Sequence, residues 1–112
     1  MSQRDHPTSA PVIDALTILG LQIAAGRRDR RWTAADLADR AGISPRTLRN
    51  VERGLPSVSI GIVFEVAVLV GIPLYGASDD ELRDVRRRAA DRLALLPQRV
   101  RESASEAVND DF

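Results

Sequence analysis

The side chains with the clearest chemistry lie between Ser44 and Gly54, where arginines and an asparagine recur at helical spacing. Arginine can donate two hydrogen bonds to the major-groove edge of guanine, and asparagine can pair in the same way with adenine. A helix that buries Leu48 and Val51 turns its polar side chains away from the core. The outward set consists of Arg46, Asn50 and Arg53, with Arg49 on the flank. This pattern predicts a helix that contacts DNA.

The outward side chains divide into two predicted roles. Arg46 and Asn50 lie one helical turn apart, so they can reach neighbouring base pairs. Helix N-termini and further arginines favour phosphate oxygens. The residues predicted to contact the DNA backbone are Arg49, Arg53 and the two helix starts at Thr33 and Ser44. The alternative is an ordinary solvated helix face, and the adjoining helix and turn favour DNA contact over it.

Two short helices joined by a tight turn must position this face. Thr33 and Asp36 match a capping box, which opens a helix of about eight residues. Gly42 stands where the end of that helix needs a left-handed residue. Ser44 then caps the next helix, with Pro45 at its first position. The spacing therefore predicts a helix-turn-helix.

A longer helix is predicted before this pair. Ser9 can cap a helix that begins near Pro11, and apolar residues then recur at steps of three and four. Gly20 and Gly26 weaken it, because glycine is a poor helix former. An alternative is that the helix breaks at Gly20 and begins there.

Residues 60–70 are apolar nearly all round. Ser59 or Ser57 can cap a helix there, and Gly71 and Pro73 stop it. Such a helix must be buried on several sides. Its valines also suit a buried strand, but no second strand candidate exists to pair with it, so helix is the preferred interpretation.

The C-terminal part begins with a capping box from Ser78 to Glu81, and its helix is predicted to reach about Leu96, before Pro97. A narrow apolar seam follows this helix at steps of three and four, as one partner helix would require. The seam residues are Leu82, Val85, Ala89, Leu93 and Leu96. We expect a homodimer formed either by this helix or by the helix at residues 60–70.

The charge distribution supports a nucleic-acid partner although the formal net charge is zero. Residues 26–54 contain eight arginines and four carboxylates and carry +4, whereas residues 79–112 contain seven arginines and nine carboxylates and carry −2. A basic segment within a neutral chain is a local electrostatic footprint for an anionic partner.

Composition argues against enzymatic, metal-bound and membrane functions. The chain has no cysteine, and its single histidine, His6, lies in a polar leader without a partner for catalysis or metal binding. Gly-rich phosphate loops and carboxylate pockets are missing, so neither a catalytic residue nor a cofactor is expected. The longest apolar run, residues 60–74, is shorter than a bilayer span, and no targeting signal is evident. We expect a cytoplasmic, nucleoid-associated protein.

Glu52 lies on the inward flank of the arginine-rich helix, where a half-buried carboxylate needs a partner. Arg27, at the end of the first helix, is the candidate. We expect this pair to be structural, so that loss of Glu52 affects DNA binding only through folding.

At this point the chain resembles the lambda-repressor-like, Xre/Cro family of helix-turn-helix domains, over residues 19–74. The resemblance is carried by residues 19–27, 32–33, 36–38, 41–44, 48, 52–54 and 70–72. It implies a compact all-α domain of four to five helices that binds DNA, usually as a dimer. It also implies base-facing positions at Pro45, Arg46 and Asn50, and an internal ion pair between Arg27 and Glu52. Many members carry glutamine where this chain has Ala34, so binding is expected to rely more on arginine.

A narrower resemblance concerns residues 54–66, the arginine- and aspartate-rich helix that follows them, residues 95–101 and the end at residues 110–112. These segments look like those of small antitoxins that are paired with kinase toxins of the HipA type. The resemblance implies a type II toxin-antitoxin system, in which the protein represses its own operon and holds the toxin inactive. Phe112 and the tail are then candidates for toxin contact. The alternatives are a stand-alone repressor and a chiefly toxin-neutralising protein with secondary DNA binding.

The expected organisation has four parts. Residues 1–10 form a disordered arm, residues 11–76 the helix-turn-helix domain, residues 77–97 an additional C-terminal helix for dimerisation, and residues 98–112 a charged flexible tail.

Overall fold

The computed structural model describes residues 8–99, which form five α-helices and one short 3-10 turn. The helices are α1 (Ala10–Asp29), α2 (Ala34–Ala41), α3 (Pro45–Glu52), α4 (Ile60–Leu69) and α5 (Asp79–Leu95), and the 3-10 turn is Leu74–Gly76. No strand occurs in residues 8–99, so the all-α prediction is confirmed and the strand alternative for residues 60–70 is wrong. The chain divides into two compact units between Gly76 and Ala77.

The first unit is built around α1, which is continuous through Gly20. Gly20 is buried, and a Cβ atom there would meet the main-chain carbonyl oxygens of Glu52 and Val51. The glycine therefore lets α1 lie directly on the backbone of α3, and the alternative of a break at Gly20 is wrong. Ser9 occupies the predicted N-cap position, but its side chain makes no capping hydrogen bond. Pro11 in the first turn favours this start instead.

The core lies where the first four helices meet. α2 packs on α3 and α4, and α1 packs on α3 and α4. Apolar side chains at helical spacing on each helix face this point, because their burial is the main favourable contribution to folding. The buried residues are Ile23, Leu37, Ala38, Leu48, Val51, Val63, Val66, Ala67 and Val70.

Helices α1 and α2 end in the same hydrogen-bond pattern, which requires one left-handed residue. After α2 this residue is Gly42, with φ of 70°, and the N–H of Ile43 donates to the carbonyl of Ala38 at 2.9 Å. After α1 the left-handed residue is Arg31, with φ of 58°, and the N–H of Trp32 donates to the carbonyl of Arg27 at 3.1 Å. The chain thus accepts an arginine where glycine is normally favoured.

α4 is capped by Ser59, whose hydroxyl accepts from the N–H of Ile62 at 3.4 Å. Burial on several sides was expected of this helix, and that prediction is only partly met. Val63, Val66 and Ala67 are buried, but Ile60 is 68% exposed and Val68 is 46% exposed. The difference arises because α4 packs against α1 and α2 on one side and leaves its opposite face uncovered.

α1 also has the length and hydropathy that would let a helix cross a membrane. Its C-terminal half is nevertheless part of the helical domain. Ile23 lies in the core, and the Arg27 guanidinium is paired with Glu52 of α3. Ile23 and the ion pair of Arg27 therefore tie this half of α1 to the other helices.

The second unit contains α5, whose N-terminus is closed by a capping box. The N–H of Ser78 donates to Glu81 Oε1 at 2.8 Å, and the N–H of Glu81 donates to Ser78 Oγ at 3.2 Å. The helix ends at Leu95, so Leu96, which was predicted to belong to the seam, is the extended C-cap residue instead. The main chain turns away from helical geometry there, ahead of Pro97.

Candidate nucleic-acid interface

The start of α2 is held by a capping box between Thr33 and Asp36. The N–H of Thr33 donates to Asp36 Oδ2 at 2.8 Å, and the N–H of Asp36 donates to Thr33 Oγ1 at 3.0 Å. The first of these bonds favours the charged carboxylate and holds the pKa of Asp36 below its usual range. The exposed start of α2 is thereby fixed at the position predicted to meet a phosphate.

The start of α3 is fixed in a similar way. The hydroxyl of Ser44 accepts from the N–H of Thr47 at 3.0 Å and donates to Thr47 Oγ1 at 3.0 Å. Pro45 occupies the first turn, where its missing N–H costs nothing. The other N–H groups of this turn have no partner within the helix and can be offered to an anion.

α3 has one buried and one polar side. Leu48 is fully buried and Val51 is 3% exposed, so both point into the core. Pro45, Arg46 and Arg49 are exposed and Asn50 is half-buried. A helix of this kind can place its polar face in the DNA major groove while its apolar face keeps it on the domain.

Arg53 lies just beyond this helix. It is the C-cap residue of α3, with φ of −85°, and its side chain is exposed. The predicted base-contacting and phosphate-contacting residues of α3 therefore occupy one short capped helix and its end. Thr33 is placed separately, at the start of α2.

Arg27 and Glu52 form a bidentate ion pair that joins the last turn of α1 to the end of α3. Arg27 Nε donates to Glu52 Oε2 at 2.8 Å and Nη2 donates to Oε1 at 3.1 Å. The remaining Nη1 donates to the main-chain carbonyl of Trp32 at 3.1 Å. The bond to Glu52 raises the pKa of Arg27. The side chains are only 12% and 15% exposed, so the pair lies between the packed helices and away from the exposed face of α3.

Sequence reasoning missed the arginines that surround Trp32. The guanidinium of Arg40 lies 4.1 Å from the centre of the Trp32 ring, and that of Arg30 lies 5.7 Å from it. Stacking on an aromatic face orients an arginine without consuming its hydrogen-bond donors. Trp32 directly precedes the N-cap of α2, so these cations lie beside a predicted phosphate contact. Only the clustering of arginines around residue 32 could have indicated them.

The remaining predicted residues lie elsewhere in the chain. Leu82, Val85, Ala89 and Leu93 are brought onto one side of α5 by its helical geometry. Residues 100–112, and with them Phe112 and most of the predicted tail, lie outside the described residues, as do residues 1–7 of the predicted arm.

Two short capped helices, a glycine turn and an exposed arginine-rich second helix define a DNA-binding helix-turn-helix domain as the class of protein. Residues 23–76, just under half of the chain, match the family model described as helix-turn-helix, which is of the Xre and lambda-repressor-like kind. The match supports a DNA-binding transcription regulator, and the family is regulatory rather than enzymatic. No curated protein and no solved structure matches the chain.

Proposed function

We propose that the protein is a sequence-specific DNA-binding repressor that contacts the major groove through α3. The observation that carries this proposal is the polar face of α3, on which Arg46 is exposed and Asn50 is half-buried while Leu48 and Val51 anchor the helix in the core. Pro45 at the start of the helix completes the base-facing surface.

Contacts to phosphates fix the register of such a helix on the duplex, and contacts to base edges supply specificity. The capped starts of α2 and α3, at Thr33 and Ser44, each offer main-chain N–H groups to a phosphate. Arg49 and Arg53 add exposed positive charge beside them. The surplus of arginine in residues 26–54 attracts the duplex before the specific contacts form.

One helix of eight residues contacts only a few base pairs, so a second copy is needed to define an operator. We therefore propose a homodimer that binds two half-sites about 34 Å apart, one turn of DNA. Binding of such a dimer to the promoter of its own operon would repress transcription.

Replacing single residues of α3 distinguishes contacts to base edges from contacts to phosphates. We expect Arg46→Ala to cost about 1–3 kcal/mol of specific binding and to relax the preference at one base position. Asn50→Ala is expected to act in the same way at a neighbouring position. Arg49→Ala should instead weaken binding to every sequence equally and reduce the salt slope by about 1. Anisotropy of labelled DNA from upstream of the gene, titrated at two salt concentrations with competitor, measures these effects.

Arg87→Ala on α5 is the matched control, since it also removes one exposed arginine but none that faces DNA in this proposal. It should bind DNA as the wild type does. Circular dichroism confirms that each variant is folded. If folded wild-type protein shows no preference for any upstream fragment, or binds equally well at high salt, the proposed function is wrong.

We propose further that the protein is the antitoxin of a HipA-like kinase, on the resemblance of residues 54–66 and of the tail to such antitoxins. In that case the product of an adjacent kinase-like reading frame should co-purify with the full chain, and Phe112→Ala should weaken the complex while leaving DNA binding intact. A full-length chain that binds its operator but never the kinase would leave a stand-alone repressor.

A further inference from the structure

The helix α5 carries an apolar stripe whose exposure differs along its length. None of its residues is buried, and Leu93 is 71% exposed. Leu82 and Val85 are half-buried, and Ala89 is exposed. These four residues follow one another at steps of three and four, so they form a single seam. A seam of this width accommodates one partner helix.

The charges of α5 are segregated along its length. Residues 79–85 contain four carboxylates and one arginine and carry −3, whereas residues 86–95 contain four arginines and one carboxylate and carry +3. Two copies in parallel would place like charges side by side. Two antiparallel copies instead set residues 79–85 of each against the C-terminal end of α5 in the other, where Arg92 is the cation, so the antiparallel direction is the more favourable one. The arginines at residues 86–88 of the two copies face one another in either direction.

We propose that α5 pairs antiparallel with α5 of a second copy of this chain, and this inference rests on the dimer of the proposed function. A two-fold axis between Arg87 and Arg88 places Leu82 against Leu93 of the second copy. Ala89 then lies near the axis, where its small side chain permits the two helices to approach closely. The exposed face of α4 is the weaker candidate, because its apolar residues are accompanied by a single charge, Glu65.

Glu81 and Arg92 supply a specific contact in this arrangement. They are eleven positions apart, or about three turns, so they lie on the same flank of the seam. Reversal of the second helix brings Arg92 of each copy to Glu81 of the other. Glu81 Oε1 accepts from Ser78, which leaves Oε2 for the arginine. Within residues 8–99, Arg92 takes part in no other ion pair.

The intrahelical ion pairs of α5 do not compete with this contact. Arg83 pairs with Asp80 at 3.3 Å, and Arg87 pairs with Asp84 at 3.3 Å. By helical geometry, Asp80, Asp84 and Arg87 lie on the side opposite the seam. The charges beside the seam are therefore left to the second copy.

Cysteine cross-linking tests the direction of pairing, because the chain contains no cysteine of its own. Full-length Leu82→Cys and Leu93→Cys proteins are prepared separately, mixed and oxidised without DNA. We expect disulfide-linked heterodimers in the mixture and little cross-linking in either protein alone. Cross-linking of Leu82→Cys with itself would indicate parallel helices and overturn the proposal.

Two measurements keep the proposal testable without cysteine. We expect the wild-type dimer, followed by light scattering, to weaken as salt rises, and Arg92→Glu to raise the dimer dissociation constant about tenfold. Arg87→Glu, the same change on the opposite side of α5, should have little effect. A monomeric wild type that still binds its operator would overturn the pairing together with the proposed homodimer and leave the proposed DNA contacts of α3 standing. A dimer without specific DNA binding would overturn those contacts and leave the pairing standing.

Discussion

Replacing Glu52 with alanine is expected to lower the free energy of unfolding by about 3 kcal/mol. The change removes two charge-assisted hydrogen bonds, at 2.8 and 3.1 Å, and leaves the Arg27 guanidinium largely buried without its counter-charge. Removal of one partner from a buried ion pair costs about 3–5 kcal/mol, and the slight exposure of this pair favours the lower end. Urea unfolding followed by circular dichroism measures the loss.

A double variant separates the effect of the unpaired charge from the effect of the lost side-chain volume. Arg27→Met/Glu52→Met leaves no unpaired charge, so it should be more stable than Glu52→Ala.

As a control, Arg87→Ala breaks an exposed ion pair and should lower the free energy of unfolding by less than about 0.5 kcal/mol. At a temperature where Glu52→Ala is folded, we expect it to bind DNA normally. If it unfolded like the wild type yet lost operator affinity, the structural role assigned to Glu52 would be wrong.

Gly20→Ala is expected to destabilise the protein by about 1–3 kcal/mol, at the upper end of that range. Alanine is the better helix former by about 1 kcal/mol, so propensity alone predicts the opposite sign. In the structure, however, the added Cβ would meet the carbonyl oxygen of Val51 at 2.9 Å and that of Glu52 closer still. These are main-chain atoms, so α1 must move away from α3. Thermal unfolding measures the effect.

Gly61→Ala is the matched control, because Gly61 also lies within a helix but a Cβ there meets nothing within 4 Å. It should stabilise the protein by up to about 1 kcal/mol. Equal effects of the two substitutions would show that Gly20 matters only through helix propensity and would rule out the close approach of α1 and α3.

The parts of the fold that sequence predicts well are those that depend on neighbours along the chain. Thr33 and Asp36, and likewise Ser78 and Glu81, lie three positions apart, and a capping box needs nothing more. Gly42 ends α2 for an equally local reason. The polar side of α3 follows from helical periodicity once Leu48 and Val51 are assigned to the core.

Features that depend on contacts distant in sequence could not be predicted in this way. Gly20 suggested a weak point in α1, whereas the structure uses it as a contact with α3. Ser9 had a suitable type and position, but its hydroxyl makes no cap. The left-handed Arg31 contradicts local preference and costs about 1 kcal/mol, and nothing in its neighbours indicates it. The stacking of Arg40 on Trp32 likewise requires the packing of α2.

Trp32 is the chain's single tryptophan, so the tryptophan fluorescence of the protein reports on the surroundings of one residue. The ring packs against the core, carries the Arg40 cation at 4.1 Å, and belongs to a residue whose carbonyl holds Arg27. Its emission therefore comes from one site at the junction of α1 and α2. Unfolding removes the apolar contacts and the cation together, and we expect the proposed phosphate contact at Thr33 to change the electric field on the indole. Intrinsic fluorescence can thus follow both events in unlabelled protein.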